Sequence, residues 1–205
     1  KEQRDHVTQW REIGLGVMGL ADLALGMGLA YGSEAFIALL DDIMKLMANA
    51  AAQASAEKAA ELGTFPRYDY DLISKSSFFN TAYTEETQEL IKKHGLRNSR
   101  ILSIAPTGSI SNVLGVSGGV EPFFMLGYNR TIQSMFEAEK TITVWEKTPK
   151  ALAAHLGIET IEELPEWAKV TSQNINFDDR AAVQATIQTY VDTAISSTFN
   201  LNNDA

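Results

Sequence analysis

The sequence predicts an α/β fold, helix-rich and with few strands, on three observations. Apolar residues recur three and four apart over several long stretches, the period of helices with one buried face. Among them stands a short apolar run, Ile101-Leu102-Ser103-Ile104-Ala105, which follows the polar LRNSR and reads as a strand. That run enters the turn PTGSIS, from which Ser111 to Leu114 begins a helix. A strand-turn-helix step set between helices is the pattern of the α/β class.

Taken in order, Trp10, Ile13, Val17, Leu20, Leu23, Ala24 and Met27 fall at helical spacing, so the pattern predicts one helix from about Thr8 to Ala30 with Gly14, Gly16 and Gly19 inside it. Ser33 is placed to N-cap a stronger helix with the stripe Phe36, Leu39, Leu40, Ile43, Met47, Ala50, Ala51 and Ala54, stopped by Gly63 and Pro66. Residues 64–83 mix aromatic and polar groups without a period and read as a packed irregular connection. The next helix, TEETQELIKKHG, opens with Thr84 and two glutamates and closes with Lys92, Lys93, His94 and Gly95, charges that oppose the helix dipole at both ends. Beyond PTGSIS, a second glycine-rich loop, GVSGGVEP, leads into FFMLGYNRTI, another strand candidate. Short helices are expected near 149–156 and 160–164. The last helix starts at Phe177 and Asp178 and buries Val183, Ile187, Tyr190, Val191, Ala194 and Ile195. No internal repeat, linker or composition shift divides the chain, so residues 1–205 are read as one unit.

Composition narrows the function. The chain has 205 residues, 45% hydrophobic and 21% charged, enough to bury a core. Its formal net charge of −9 is spread along the chain and leaves no basic stripe for a polynucleotide backbone. No apolar run reaches the roughly 18–20 residues that span a bilayer, and KEQRDHVTQW lacks the apolar core of a signal peptide, so no membrane partner is expected and the cytoplasm is the default location. Cysteine is absent, which excludes disulfides, thiolate metal sites and thiol catalysis within these residues. The start without methionine and the abrupt end at NLNNDA read as a segment of something longer.

Two glycine motifs compete for a phosphate. Gly14, Gly16 and Gly19 have the G-x-G-x-x-G spacing of a dinucleotide site, but that site needs a strand before the first glycine and an acid about 20 residues on, at the end of a second strand. Neither is apparent, and the simpler reading is that small residues let a neighbour approach closely. The turn Pro106, Thr107, Gly108, Ser109 and Ile110 follows a strand and opens a helix, which places free N–H groups where an anion is favoured. It is no Walker loop, having no lysine, and a plain turn with a capping serine stays open as the alternative. Ser111 and Glu121 are secondary candidates. His6, His94 and His155 show no metal-ligand spacing, and no metal site is expected. Asp41, Asp42, Glu85, Glu86, Asp69 and Asp71 read as surface or loop carboxylates. The rings Tyr68, Tyr70, Phe78, Phe79 and Tyr83 read as core under a loop, with stacking on a base as the alternative.

Four stretches together, REIGLGVMGLAD, HGLRNSRILSIAPTGSIS, GVSGGVEPFF and VQATIQTYVDTAISSTFNLNNDA, resemble the catalytic subunit of ribonucleotide reductases, in that family's order and over nearly the whole chain. Residues 140–175 carry the least of it. The resemblance implies the C-terminal part of a ten-stranded α/β barrel made of two five-stranded halves. It also implies that Pro106 to Ile110 bind the substrate's phosphates through backbone N–H groups, in an enzyme that makes deoxyribonucleotides by thiyl-radical chemistry for DNA synthesis. No catalytic residue is then expected in this chain, since the family's radical cysteine and reducing cysteine pair would lie elsewhere. APTGSIS and SGGVEP are more similar to the adenosylcobalamin-dependent reductases, with the cofactor bound mainly outside this segment. A metal-containing, radical-generating partner subunit is the alternative. The implied partners are a ribonucleotide, the rest of the barrel and a thioredoxin-type reductant, with homodimerisation open. Two other readings remain beside it: a nicotinamide-dependent oxidoreductase built on Gly14, Gly16 and Gly19, and a non-catalytic helical interaction module.

Overall fold

The computed structural model describes residues 2–132 and 140–200. The chain divides into two units, each with its own packing. The first holds the residues up to Gly16, Ile37–Ala105 and Val183–Ile195; the second holds Val17–Phe36, Pro106–Ala182 and the segment from Ser196.

In the first unit, short extended segments run parallel. Leu15 bridges Leu102, and Ile104 bridges Ile195. The N–H groups of Ile13 and Leu15 donate to the carbonyls of Arg100 and Ile101 at 3.0 and 2.9 Å, and the N–H of Ile104 donates to Ala194 at 3.3 Å. The expected strand Ile101–Ala105 is therefore paired on both sides, each time for too few residues to make a regular ladder.

This pairing corrects the reading of the N-terminal region. Instead of one helix from Thr8 to Ala30 there are two, α1 (Glu2–Trp10) and α2 (Leu20–Gly26), with extended chain between them. The apolar residues do have helical spacing, but backbone pairing wins at Ile13–Leu15. The glycines do allow a close approach, though to a strand. A Cβ on Gly14 would stand 2.5 Å from Ser103 Oγ, and one on Gly16 would run into the Ser103 carbonyl oxygen.

The long helix α3 (Glu34–Leu62) starts as expected, with Ser33 Oγ accepting the Phe36 N–H at 3.3 Å. Its buried face differs from the expected stripe: beyond Phe36 and Leu40 it follows Met44, Ala48, Ala52, Ala56 and Ala59, while Ala50 and Ala54 are exposed. Residues four apart form a row inclined to the helix axis, so a face led by alanines winds along the helix where a straight stripe of large residues does not. Residues 64–83 are more regular than expected. They contain α4 (Tyr70–Ile73) and α5 (Ser77–Ala82), whose first turns are capped by Asp69 Oδ1 on Leu72 N–H at 3.2 Å and Ser76 Oγ on Phe79 N–H at 3.1 Å. Phe78 and Phe79 each meet Tyr83 edge to face; of the five rings expected as core, Phe79 and Tyr83 are buried and Tyr68, Tyr70 and Phe78 half-buried. Then α6 (Glu85–His94) runs between its Thr84 cap and Gly95, as the sequence predicts.

The second unit contains α2, α7 (Gly108–Leu114), strands β1 (Gly127–Ile132) and β2 (Lys140–Trp145), α8 (Lys147–Leu156) and the start of α9 (Phe177–Tyr190). The two strands pair antiparallel from Gly127 opposite Trp145 to Ile132 opposite Lys140. β1 lies in the expected FFMLGYNRTI segment; β2, despite its β-branched run TITVW, is not among the expected strands. The helix expected near 160–164 is a single 3₁₀ turn, Ile161–Glu163. α9 ends at Tyr190, so Ala194 and Ile195 are not on its face, and Ile195 pairs with Ile104 instead. Leu201–Ala205, the end of the last quoted stretch, lie outside the described residues. Among the described residues no helix is long and apolar enough to cross a membrane.

Asp192, just past α9, accepts the N–H groups of Ile101 and Leu102, both at 2.8 Å. Burial raises its carboxyl pKa above the ordinary 3.8, while the two backbone donors and Arg100 oppose the rise.

The close approach at Gly16 and the partial burial of Asp192 each set a measurable outcome. Gly16→Ala should destabilise by about 1–3 kcal/mol, because its Cβ meets backbone that is already paired. Ser103→Ala should rescue Gly14→Ala, which meets only a hydroxyl, and leave Gly16→Ala unrescued; equal rescue in urea melts would contradict the packing. Since the folded pKa of Asp192 is raised, its own share of stability is full below pH 3.8 and is lost as pH rises through the folded value. The stability difference between wild type and Asp192→Asn should therefore depend on pH on the acidic side, on top of a constant loss of about 1–3 kcal/mol from one orphaned N–H. A difference that is flat with pH would count against the half-buried carboxylate.

Candidate functional site

Thr107 has φ 52 and ψ 18, the left-handed region that a β-branched residue seldom adopts. The conformation is held from the side: Gly119 N–H donates to Thr107 Oγ1 at 2.8 Å. α7 begins at the next residue, and its first intrahelical bond runs from Ser111 N–H to the Thr107 carbonyl at 2.9 Å. The backbone donors of Gly108, Ser109 and Ile110 belong to the helix's first turn and have no acceptor among the described residues. Pro106, Gly108, Ser109 and Ile110 are exposed, and the turn borders an open cavity of about 430 Å³ that Asn112, Ser117 and Phe124 also line.

The loop Val116–Pro122 packs against this turn. A Cβ on Gly118 would stand 3.3 Å from both the Pro106 carbonyl and Ser111 Oγ, so a side chain there would push the two apart. Asp22 holds the loop's first half: Oδ2 accepts the Ser117 N–H at 2.7 Å and Oδ1 accepts the Thr148 hydroxyl at 2.5 Å. Gly19 N–H donates to the Ser117 carbonyl at 2.8 Å and Ala21 N–H to Ser117 Oγ at 3.1 Å. The buried Tyr31 hydroxyl donates to the Val120 carbonyl through a short bond. Burial pushes that phenol's pKa well up, against the pull of Arg180, so it stays protonated as a donor.

The loop's second half is held by charge. Arg180, 2% exposed, donates from Nη2 to Glu121 Oε2 at 3.0 Å and to Ser197 Oγ at 2.5 Å. Glu121 Oε1 accepts the Thr198 N–H at 2.8 Å, and the guanidinium lies 5.3 Å from the Phe199 ring centre.

The candidate residues thus separate by role. Pro106 to Ile110 form one exposed turn. Ser111 is turned inward, 2% exposed, its hydroxyl donating to the Gly108 carbonyl at 3.2 Å. Glu121 is engaged by Arg180 and Thr198 and lines the same cavity as the turn. His6 stands 3.8 Å from Glu12, both exposed; Asp41 accepts the Tyr190 hydroxyl at 2.9 Å. Among the described residues no three His, Asp or Glu side chains gather where a metal ion would sit. Sequence reasoning misses Asp22, Tyr31, Thr148 and Arg180. Asp22 lies in the quoted glycine stretch, yet nothing in the sequence pairs it with Ser117, 95 residues away.

For the dinucleotide fingerprint, the paired segment runs through Gly14 to Leu15 where a strand ending at Ile13 is required, and the residues about 20 on form α3 in place of a second strand. For a helical module without a site, Ile101–Ala105 would stand unpaired and the PTGS turn would border no cavity; neither is found.

The family model described as "Ribonucleotide reductase, barrel domain" matches residues 1–205. The chain is 32% identical over 218 aligned residues to the vitamin B12-dependent ribonucleoside-diphosphate reductase of Thermoplasma acidophilum, covering 100% of this chain and 26% of that protein. It is 29% identical over 204 residues to the protein of the same description from Mycobacterium tuberculosis, covering 93% and 27%. The chain therefore spans about a quarter of the length of these curated relatives. Among solved structures, the class Id ribonucleotide reductase alpha subunit of Actinobacillus ureae matches with a TM-score of 0.65 at 22% identity, over 92% of this chain and 33% of that one, which shows a shared fold. A helix-rich α/β chain with that fold, matched end to end by the family model, belongs to the ribonucleotide reductase barrel-domain family.

Proposed function

We propose that this chain is the C-terminal barrel segment of a ribonucleoside-diphosphate reductase catalytic subunit and that Pro106 to Ile110 bind the substrate's phosphates. The observation that carries the reading is the set of N–H donors at Gly108, Ser109 and Ile110, exposed and without acceptors among the described residues. Such donors at the start of a helix favour negative charge by hydrogen bonding and by the helix dipole together. Thr107 gives the turn its shape; its Oγ1 accepts the Gly119 N–H, which leaves the hydroxyl proton free to donate. The turn's work is to bind and orient: phosphates fixed by backbone donors place the attached ribose with little freedom, while the backbone itself needs no rearrangement.

The reducing chemistry is assigned to parts of a longer protein. The sequence has no cysteine, so neither a thiyl radical nor a reducing thiol pair is carried by these residues. The relatives described as vitamin B12-dependent support adenosylcobalamin as the radical source, a cofactor that generates the radical when bound. By the family resemblance, cobalamin is assigned mainly outside this segment. A thioredoxin-type reductant, a ribonucleotide substrate and the remainder of the barrel are the partners of this reading, in the cytoplasm.

A carboxylate placed in the turn separates stability from binding. Ser109→Asp adds negative charge to the first turn of α7, which should leave the fold as stable or raise stability by about 0.3–1 kcal/mol. The same charge should repel the substrate's phosphates and raise KM about tenfold or more in the complete catalytic subunit, with kcat little changed. Ser109→Ala, which leaves the backbone donors in place, should keep KM within about threefold. An unchanged KM for Ser109→Asp would remove phosphate binding from this turn.

A further inference from the structure

We propose that Arg180 is a positioning residue for the substrate turn, acting through Glu121 and the loop Val116–Pro122; the proposal rests on the phosphate-turn reading above. The path is short and continuous. Arg180 Nη2 holds Glu121 Oε2 at 3.0 Å. Glu121 closes a tight turn, its N–H donating to the Gly118 carbonyl at 2.9 Å. Gly118 packs against the Pro106 carbonyl, and Gly119 N–H fixes Thr107 Oγ1 at 2.8 Å.

Stability alone does not account for the pair. A guanidinium 2% exposed loses its hydration, and a buried ion pair against it often does no better than apolar residues of the same size. Moreover, Arg180 Nε and Nη1 have no partner among the described residues, and neither has the buried Ser172 Oγ beside the same small cavity of about 50 Å³. That volume has room for ordered water. A group so expensively buried, with donors left over, fixes one geometry where an apolar residue would not. Its carboxylate partner sits in the loop that sets the conformation of Thr107.

The clamp also reaches the end of the described chain. Ser197 Oγ accepts from Arg180, and Thr198 N–H donates to the second oxygen of Glu121 at 2.8 Å. Loss of either charge therefore loosens the tie between the segment Ser197–Phe199 and the loop.

The test uses the complete catalytic subunit with Arg180→Gln, Glu121→Gln, the double variant and Arg180→Lys, reading KM, kcat and Tm. Either single change should raise KM for the ribonucleotide about tenfold with kcat within about twofold, because turn geometry governs binding. The double variant should be no worse than the worse single, since the two groups act as one unit. Arg180→Lys, which keeps a charge near Glu121, should bring KM back to within about threefold. If Arg180→Gln does not fold, Glu121→Gln still decides, being an isosteric change at a partly exposed side chain. A fall in Tm with KM unchanged, or KM effects that multiply in the double variant, would overturn the proposal. Should Ser109→Asp raise KM while the Arg180 and Glu121 variants do not, only this inference fails; should Ser109→Asp leave KM unchanged, the phosphate-turn reading fails with it.

Discussion

One hydrogen bond, from Gly119 N–H to Thr107 Oγ1, fixes the part of the molecule on which its proposed work depends. A threonine in the left-handed region costs about 1–3 kcal/mol and persists only where its surroundings impose it. Here the imposing group is the backbone of a second loop. With Thr107 so placed, the chain enters α7 without a side-chain cap, and the cap's absence is what leaves the first-turn donors of Gly108 to Ile110 open. A conventional Ser or Thr cap would consume one of those donors. The strained residue and the free donors are thus two aspects of one arrangement.

The second loop can impose this conformation because it is itself held at several points. Asp22 binds its Ser117 amide, Tyr31 its Val120 carbonyl and Arg180 its Glu121 carboxylate. At Gly118 the Pro106 carbonyl lies close, so a side chain there would crowd it. The side chains doing this holding are polar and largely withdrawn from water, so each is effective only while its partner is in place. Flexible glycine-rich sequence has become a rigid support by being bonded from three sides.

How much of this the sequence discloses depends on the range of the interaction involved. Local signals read well: Ser33 and Thr84 as caps, Gly95 as a stop, and the strand-turn-helix order around PTGS all depend on residues within a few positions of one another. The Asp69 and Ser76 caps are equally local, but short helices of four and six residues carry too little periodicity to stand out. Around Gly14 and Gly16 the local pattern is helical and misleading, because pairing with Ile101–Ser103 across nearly 90 residues decides the conformation. The α3 face departs from its expected stripe for a related cause: large residues suggest a straight stripe, whereas alanines mark where neighbours come nearest. Resemblance to the reductases singles out the turn, and the family match supports that resemblance at the level of the fold. The clamp of Asp22, Tyr31 and Arg180 is illegible in the sequence, since its partners lie 59 to 95 residues apart and no short motif records them.

Assigning the substrate's phosphates to the free N–H groups at the start of α7 is the step from which the rest of the functional reading hangs. The most direct measurement is a crystal structure of the complete catalytic subunit with a ribonucleoside diphosphate bound. Phosphate oxygens should lie within about 3 Å of the backbone nitrogens of Gly108, Ser109 and Ile110, with Thr107 still left-handed near its φ of 52 and still bonded to Gly119. Phosphates seated elsewhere, with those three donors turned onto protein carbonyls, would contradict the account.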